Sequence, residues 1–256
     1  MSKDPHFIGQ PPEGIGESSG KALIRTGFHH HFFIYIHFKS TGRKRKDGKS
    51  KGGTKVHTLM NLHDKVPALI RITDAIDADT KHGDLAYNIP KDASLLIDRG
   101  YVDYGFYERL SLRGISYVTR VKRNRVYYPK QEIKENRDDC VLLDQNGELK
   151  IPRKQKNEDL DKIHKTRRVV WYNREKERYE VHFTNNFELS ADQMHDIYAK
   201  RWQIEMLFKQ LKGNFELRYF LGDNRNAIQI QIWCAMIANL LLTILRRTLS
   251  QRRASL

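Results

Sequence analysis

Short apolar runs of strand length alternate with polar turns through the first half of the chain. Residues 56–60 and 68–72 are two such runs, and the polar connection between them is of hairpin type. Residues 94–98 are almost wholly apolar, which is typical of a strand buried on both faces of a sheet. A segment with helical spacing, 106–113, and a further strand, 115–121, follow. Strand, helix and strand in this order form a βαβ unit and predict an α/β fold.

The second half of the chain begins with a polar segment and ends with two helices. Residues 123–187 contain several short β-like runs and a hairpin-type turn at 145–147, so they predict a β-rich insertion. Ser190 is a favoured N-cap residue, and the helical pattern after it runs to Lys212. A second helix is predicted over residues 226–249.

One face of the first of these helices carries four polar side chains. At 100° per residue they share one narrow stripe, which borders an apolar arc that would dock the helix against the sheet. The stripe is therefore expected at the rim of a cleft. The alternative is a solvated face with ordinary i,i+4 pairs, each worth about 0.2–0.5 kcal/mol. The stripe consists of Tyr198, Arg201, Glu205 and Lys212. The apolar arc consists of Ile197, Ile204, Leu207, Phe208 and Leu211.

Two acids give this region a candidate chemistry. Asp98 ends the buried strand, and ligand sites of open α/β sheets lie at the carboxyl ends of strands. Glu205 lies on the flanking helix. Carboxylate oxygens suit Mg²⁺ or Mn²⁺, and a pair of such ions could activate water and stabilise the leaving oxygen at phosphorus. The two acids therefore favour metal-dependent phosphoryl transfer.

The charge of the chain indicates a partner. Lys and Arg number 46 against 31 Asp and Glu, and the net charge of +15 favours a polyanion such as nucleic acid. Residues 39–55 hold eight of the basic residues and a single acid, and they include the run Arg43, Lys44, Arg45 and Lys46. This segment is interpreted either as a solvated turn or as an arm that contacts phosphates.

One apolar stretch needs comparison with a membrane span. Residues 227–245 are largely apolar but are interrupted by Gln229, Gln231 and Asn239, so a buried core helix is favoured. The first twenty residues lack the apolar core of a signal peptide. The two cysteines have no zinc or redox spacing. We therefore expect a cytoplasmic protein that does not bind a membrane.

The helical stripe also resembles a family signature. Its spacing, Tyr-x2-Arg-x3-Glu-x6-Lys, is similar to the signature of bacterial DDE insertion-sequence transposases of the IS-four type. Ile-Asp-Arg-Gly-Tyr at 97–101 resembles the second-aspartate motif of that family, and residues 118–122 and 51–57 resemble its neighbouring strands. The resemblance covers about residues 39–245.

The family resemblance implies an architecture. It predicts an RNase H-like α/β core over residues 39–250, with the β-rich insertion of about 123–187 placed between the second Asp and the Glu. Residues 1–38 would be a divergent or disordered segment, and residues 251–256 a tail.

The resemblance also implies roles and partners. Asp98 and Glu205 would be catalytic acids that bind Mg²⁺ or Mn²⁺, while Tyr198, Arg201 and Lys212 would bind phosphates and bases. The implied activity is DNA transposition by metal-dependent phosphoryl transfer at transposon ends. The implied partner is double-stranded DNA, and a homodimer on that DNA is a further expectation.

One family feature is missing from the chain. The first catalytic Asp of the family belongs on the strand before the basic loop, but the strand predicted at residues 32–38 has no Asp. The interpretation is a truncated or frame-shifted copy that lacks one acid. The alternatives to an active transposase are a DNA-binding remnant without catalysis and an unrelated RNase H-like nuclease or resolvase.

Overall fold

The computed structural model describes residues 32–40, 54–74, 84, 88–133, 139–151, 163–215, 217, 221, 222 and 224–254. Within these ranges nine strands form one mixed sheet in the order β3-β2-β1-β4-β5-β9-β8-β7-β6. The strands are β1 (Phe32–Ser40), β2 (Thr54–Asn61), β3 (Val66–Asp74), β4 (Ser94–Ile97), β5 (Ser116–Val121), β6 (Tyr128–Glu132), β7 (Val141–Lys150), β8 (Ile163–Asn173) and β9 (Arg178–Thr184). The helices are α1 (Tyr104–Leu112), α2 (Ala191–Ala199), α3 (Trp202–Asn214) and α4 (Arg225–Ala254).

The first half of the chain builds the part of the sheet around β1. Strands β2 and β3 form the expected hairpin, and β1 pairs antiparallel with β2 and parallel with β4. Strands β4 and β5 are parallel neighbours joined through α1, so the βαβ prediction is confirmed. The predicted domain boundary at residue 38 falls inside β1. This strand lies between β2 and β4 in the sheet and is therefore part of the domain core.

Apolar side chains cover both faces of the sheet. Alternate residues of β4 point to opposite faces, so Leu95 and Ile97 pack in one cluster with α1 while Leu96 packs in the other. The second cluster contains residues from α2, α3 and α4. Burying each large aliphatic side chain contributes about 1.5–3 kcal/mol, which fixes the helices on their respective faces.

The polar second half extends the sheet past β5 with four antiparallel strands, as its β-like runs predict. The predicted turn at residues 145–147 is wrong, because these residues lie inside β7 and pair with both β6 and β8. A Cβ atom at Gly147 would lie 2.3 Å from the backbone oxygen of Tyr128. The glycine therefore serves the close approach of two strands and not a turn.

The last helix is not the core element that its composition predicts. Helix α4 is longer than expected, and only 17% of its most apolar stretch is buried. Its buried side chains are Ile232, Ala235 and Met236, whereas many large apolar ones are exposed. By length and hydropathy alone α4 could cross a membrane, a criterion that helices of water-soluble proteins also meet. The exposed residues are Ile230, Trp233, Ile237, Leu240, Leu241, Leu242, Ile244, Leu245 and Leu249.

Candidate active site

Asp98 lies directly after β4, where the chain turns away from the sheet. The Thr119 hydroxyl of β5 donates a 3.0 Å hydrogen bond to the Ile97 carbonyl, and this holds the residue before Asp98 in place. The Tyr101 amide donates to the Asp98 carbonyl at 3.0 Å and closes a single 3₁₀ turn. The Tyr101 hydroxyl in turn lies 2.6 Å from Nδ1 of the buried His57. Both sides of Asp98 are therefore anchored in the core.

Two helices carry the signature residues, and the prediction of a single helix is wrong. Helix α2 begins after Ser190 with the capping box that Ser190 and Gln193 form. It ends at Ala199, and α3 begins at Trp202. Between them the backbone bonds run from residue i+3 to i, as from the Arg201 amide to the Tyr198 carbonyl at 3.0 Å.

Such bonds are those of a 3₁₀ turn, which advances about 120° per residue. The angles calculated for one continuous α-helix therefore do not hold across Arg201. The break contains neither Gly nor Pro, so no residue in the sequence marks it.

Arg201 connects the two acids. Its Nη1 atom lies 2.6 Å from Oε1 of Glu205 and 3.4 Å from Oδ1 of Asp98. Because both oxygens contact one nitrogen atom, the carboxyl groups are far closer than the roughly 10 Å that would exclude joint binding of a metal pair. The Arg201 side chain is 16% exposed, Asp98 25% and Glu205 32%. All three side chains can therefore be reached from solvent.

Neighbouring groups explain how Arg201 keeps its proton despite partial burial. Burial by itself lowers the pKa of the guanidinium, but Tyr198, Asp98 and Glu205 outweigh it and raise the pKa above the usual value. A guanidinium between two carboxylates is a strong charge-assisted contact. The acid pair is thus held together by a positive charge.

Tyr198 lies beneath this group. Its side chain is buried, and the Arg201 guanidinium carbon lies 5.7 Å from the centre of its ring. Burial raises the pKa of the Tyr198 hydroxyl to about 12; of the smaller effects, the Arg201 charge lowers this pKa and the Asp98 charge raises it. The tyrosine is therefore a neutral hydrogen-bonding group that supports Arg201 from the core side.

The remaining predicted binding residues lie elsewhere. Lys212 is half-buried in the last turn of α3, about 10 Å along the helix axis from Glu205 at 1.5 Å per residue. The basic run at residues 43–46 lies outside the described residues, as do residues 1–31. The structure thus brings together Asp98, Arg201 and Glu205, with Tyr198 beside them.

Sequence reasoning missed a second group of side chains near Tyr198. One ligand atom from each of Glu180, His182 and His195 lies within 4.8 Å of the other two. The ring of His182 meets the Tyr198 ring edge-on at 4.9 Å. Glu180 and His182 are two positions apart in β9, so both lie on one face of the strand. This spacing is the signal in the sequence that could have indicated the group. The contribution of His195 from α2 depends on the packing of the helix on the strand.

The acid pair is chemically suited to a divalent cation. Both residues offer hard oxygen donors, and the site already holds a cationic group between them. The parallel register of β1 with β4 ends at Tyr35 opposite Ile97, so Ile36 follows at the level of Asp98. Strand β1 has no Asp or Glu anywhere along its length. Among the described residues, Asp98 and Glu205 are the two carboxylates that contact Arg201.

Comparison with known proteins identifies the family of the chain. Residues 22–241 match the family model described as the transposase DDE domain. The chain therefore belongs to the DDE transposase domain family, and the resemblance to insertion-sequence transposases is confirmed. The match includes residues 22–38, which are part of the segment that the motif resemblance left outside the family.

Several transposases are similar to this chain. It is 30% identical over 219 residues to transposase y4zB of Sinorhizobium fredii, a stretch of 82% of this chain and 56% of that protein. It is 30% identical over 199 residues to the transposase for insertion sequence element IS4SA of Synechocystis sp., covering 75% of this chain and 53% of that protein. The chain spans about half the length of these relatives.

One similar solved structure is the piggyBac transposase synaptic complex with hairpin DNA. The TM-score is 0.44 at 12% identity, over 71% of this chain and 40% of that one.

Proposed function

We propose that this chain is a DNA transposition domain that binds double-stranded DNA at the ends of a mobile element. It supplies Asp98 and Glu205 to a metal-dependent phosphoryl-transfer site. The observation that carries the proposal is the contact of both carboxylates with one Arg201 nitrogen, which brings an acid at a strand end together with an acid on a helix. The family membership of the chain supports the same conclusion.

The strand arrangement supports an RNase H-like core. The five strands of the first half lie in the order β3-β2-β1-β4-β5, with β1, β4 and β5 parallel and β2 antiparallel to β1. Strands β6 to β9 enter between β5 and α2, so they form the insertion that separates Asp98 from Glu205 along the chain. The insertion also extends the central sheet.

The side chains of the site have separate tasks in this proposal. Asp98 and Glu205 would hold Mg²⁺ or Mn²⁺, which when bound would supply a polarised water and stabilise negative charge at phosphorus. Arg201 neutralises the acid pair in the absence of metal and can turn toward a DNA phosphate, to which a guanidinium donates two hydrogen bonds. Lys212 adds a second cation along α3. The net charge of +15 attracts the duplex.

A specific observation favours a second candidate function. Strand β1 runs beside β4 without a carboxylate, so the site lacks the acid that the family places on this strand. Two carboxylates hold a pair of ions less firmly than three do. The second candidate is therefore a domain that binds DNA but has lost, or almost lost, strand cleavage.

The test separates metal binding, DNA binding and cleavage in the full chain. Mn²⁺ binding is followed by electron paramagnetic resonance, and DNA binding by fluorescence anisotropy with duplexes from the DNA flanking the encoding gene. Asp98→Asn and Glu205→Gln are each expected to weaken Mn²⁺ binding by about tenfold or more and to leave DNA affinity nearly unchanged. Asp64→Asn, in the turn between β2 and β3, is the matched control and should change neither.

Each outcome of this test is decisive. Equal Mn²⁺ affinity in the wild type and both site variants would overturn the metal-site proposal. Wild-type protein that does not bind duplex DNA would overturn the transposition proposal. Metal-dependent cleavage that Asp98→Asn abolishes identifies an active transposase, whereas DNA binding without cleavage identifies the defective domain.

A further inference from the structure

We propose that Glu180, His182 and His195 form a binding site for a transition-metal ion of the zinc type, between β9 and α2. One ligand atom from each residue lies within 4.8 Å of the other two. Two imidazoles and a carboxylate are a common ligand set for zinc, which takes nitrogen and oxygen ligands at about 2.0–2.2 Å. Small side-chain movements would bring the three atoms to that distance from one ion.

The hydrogen bonding of the two histidines supports this site. Nε2 of His182 and Nδ1 of His195 are both buried and have no hydrogen-bond partner. Buried polar atoms are almost always paired in folded proteins, so two such nitrogens in one small cluster need an explanation. A metal ion supplies it, because a neutral imidazole nitrogen can donate its lone pair to the ion. One ion would satisfy both nitrogens.

Neighbouring side chains already hold two of the three ligands, His195 and Glu180, in position. The His195 ring stacks on Trp171 with centroids 4.3 Å apart and an interplanar angle of 10°. Arg120 and Arg178 both donate to Oε1 of Glu180 at 2.9–3.0 Å, which leaves Oε2 for another partner. Metal sites typically contain further side chains that contact the ligands and fix their orientation.

The charges around the cluster determine which metals fit. The positive charges of Arg120 and Arg178 repel a cation at this site. An ion held by charge alone would therefore bind poorly. Ions with strong affinity for imidazole, such as Zn²⁺, Co²⁺ or Cu²⁺, gain enough from the nitrogen ligands, whereas Mg²⁺ prefers an all-oxygen site. This preference distinguishes the cluster from the Asp98–Glu205 pair.

The position of the cluster suggests what a bound ion would do. His182 lies on β9 and His195 on α2, so an ion joins the inserted strands to the helix that carries Tyr198. The His182 ring contacts the Tyr198 ring, which contacts Arg201. A bound ion would therefore restrict the motion of Tyr198, which packs against Arg201, without contacting the acid pair.

Co²⁺ is a direct probe, because its visible absorption reports nitrogen ligands and coordination geometry. Titration of the full chain is expected to show one equivalent bound with a tetrahedral-type spectrum. His195→Asn should abolish that spectrum, and Zn²⁺ should raise the melting temperature of the wild type but not of this variant. Glu180→Gln, which keeps the shape of the side chain, should weaken Co²⁺ binding by about tenfold or more.

Two controls exclude other histidines. His63→Asn changes an exposed histidine of the β2–β3 turn and should leave the Co²⁺ spectrum unchanged. Replacement of His29, His30 and His31 by Asn removes a histidine run that could bind the same metals. A wild type without the spectrum, a spectrum that survives His195→Asn, or one lost only with the His29–His31 replacement would each overturn the proposal. Mn²⁺ binding by the acid pair, measured on the same preparations, reports separately on the transposition site.

Discussion

At the scale of single residues, the core contains polar side chains that depend on close partners. His164 of β8 is almost fully buried, with Nδ1 2.5 Å from Oε2 of Glu108 and Nε2 2.8 Å from the Tyr117 hydroxyl. The Tyr107 ring lies 6.3 Å from the His164 ring. Burial lowers the pKa of His164, and the hydrogen bond and charge of Glu108 only partly offset this effect.

This burial predicts a pH dependence of stability. A histidine with a lowered pKa in the folded state takes up its proton more readily after unfolding. The contribution of neutral His164 to the free energy of unfolding is therefore complete above about pH 6.5. It decreases as the pH falls below that value, by at most about 1.4 kcal/mol per pH unit. In urea unfolding between pH 7.5 and 5, His164→Gln should show a shallower loss of stability than the wild type. The exposed His63→Gln is the control, and equal slopes for His164→Gln and wild type would contradict the prediction.

At the scale of secondary-structure elements, one buried ion pair joins strands β7 and β8 to the start of α2. Arg167 of β8 donates to both carboxylate oxygens of Asp144 in β7, at 2.7 and 2.6 Å. The same guanidinium donates to the Leu189 carbonyl at 2.5 Å, directly before the N-cap Ser190. A residue of β8 therefore holds the chain at the start of α2.

Removing one partner of this pair should lower the free energy of unfolding substantially. Asp144→Ala leaves the buried Arg167 charge without a carboxylate, and such a loss typically costs about 3–5 kcal/mol. Urea unfolding measures the difference. Lys130→Ala is a suitable control because the Lys130–Glu148 pair, at 3.3 Å, is largely exposed on the lysine side and is expected to contribute less than about 1 kcal/mol. A loss at Asp144 no larger than at Lys130 would refute the role of the buried pair.

At the scale of the whole molecule, the acid pair and the exposed apolar surface lie on different elements. The acid pair lies at the end of a central strand, whereas α4 exposes large apolar side chains along most of its length. The net charge of +15 belongs to the chain as a whole. DNA binding is therefore expected to depend on many phosphate contacts and to fall steeply with salt.

The basic run at residues 43–46 should account for part of that dependence. Each phosphate contact that is lost should reduce the slope of log K against log salt by about 0.9 on duplex DNA. Replacement of all four residues by Ala should therefore flatten the slope in anisotropy titrations across a salt series. Replacing the four arginines between residues 246 and 253 by Ala removes the same charge and provides the control. A slope that changes equally in both variants would indicate a general charge effect and not a phosphate-contacting arm.

Local patterns in the sequence determine much of the fold. The hairpin of β2 and β3, the unit of β4, α1 and β5, and the start of α2 at Ser190 follow from apolar periodicity and capping. These properties depend on residues a few positions apart. The signature spacing identified the family, and with it the candidate acids Asp98 and Glu205. Their roles and those of the basic residues stay predictions.

Only the tertiary structure decided features that depend on residues far apart in the chain. Gly147 lies in a strand because the backbone of Tyr128 approaches it, although its neighbours form a typical turn sequence. The helix break at Arg201 and the contact of that residue with Asp98 depend on how α2 and α3 pack on the sheet. The exposure of α4 and the position of His195 beside β9 have the same origin. Periodicity specifies which side chains share a face of an element, but packing between elements decides what that face meets.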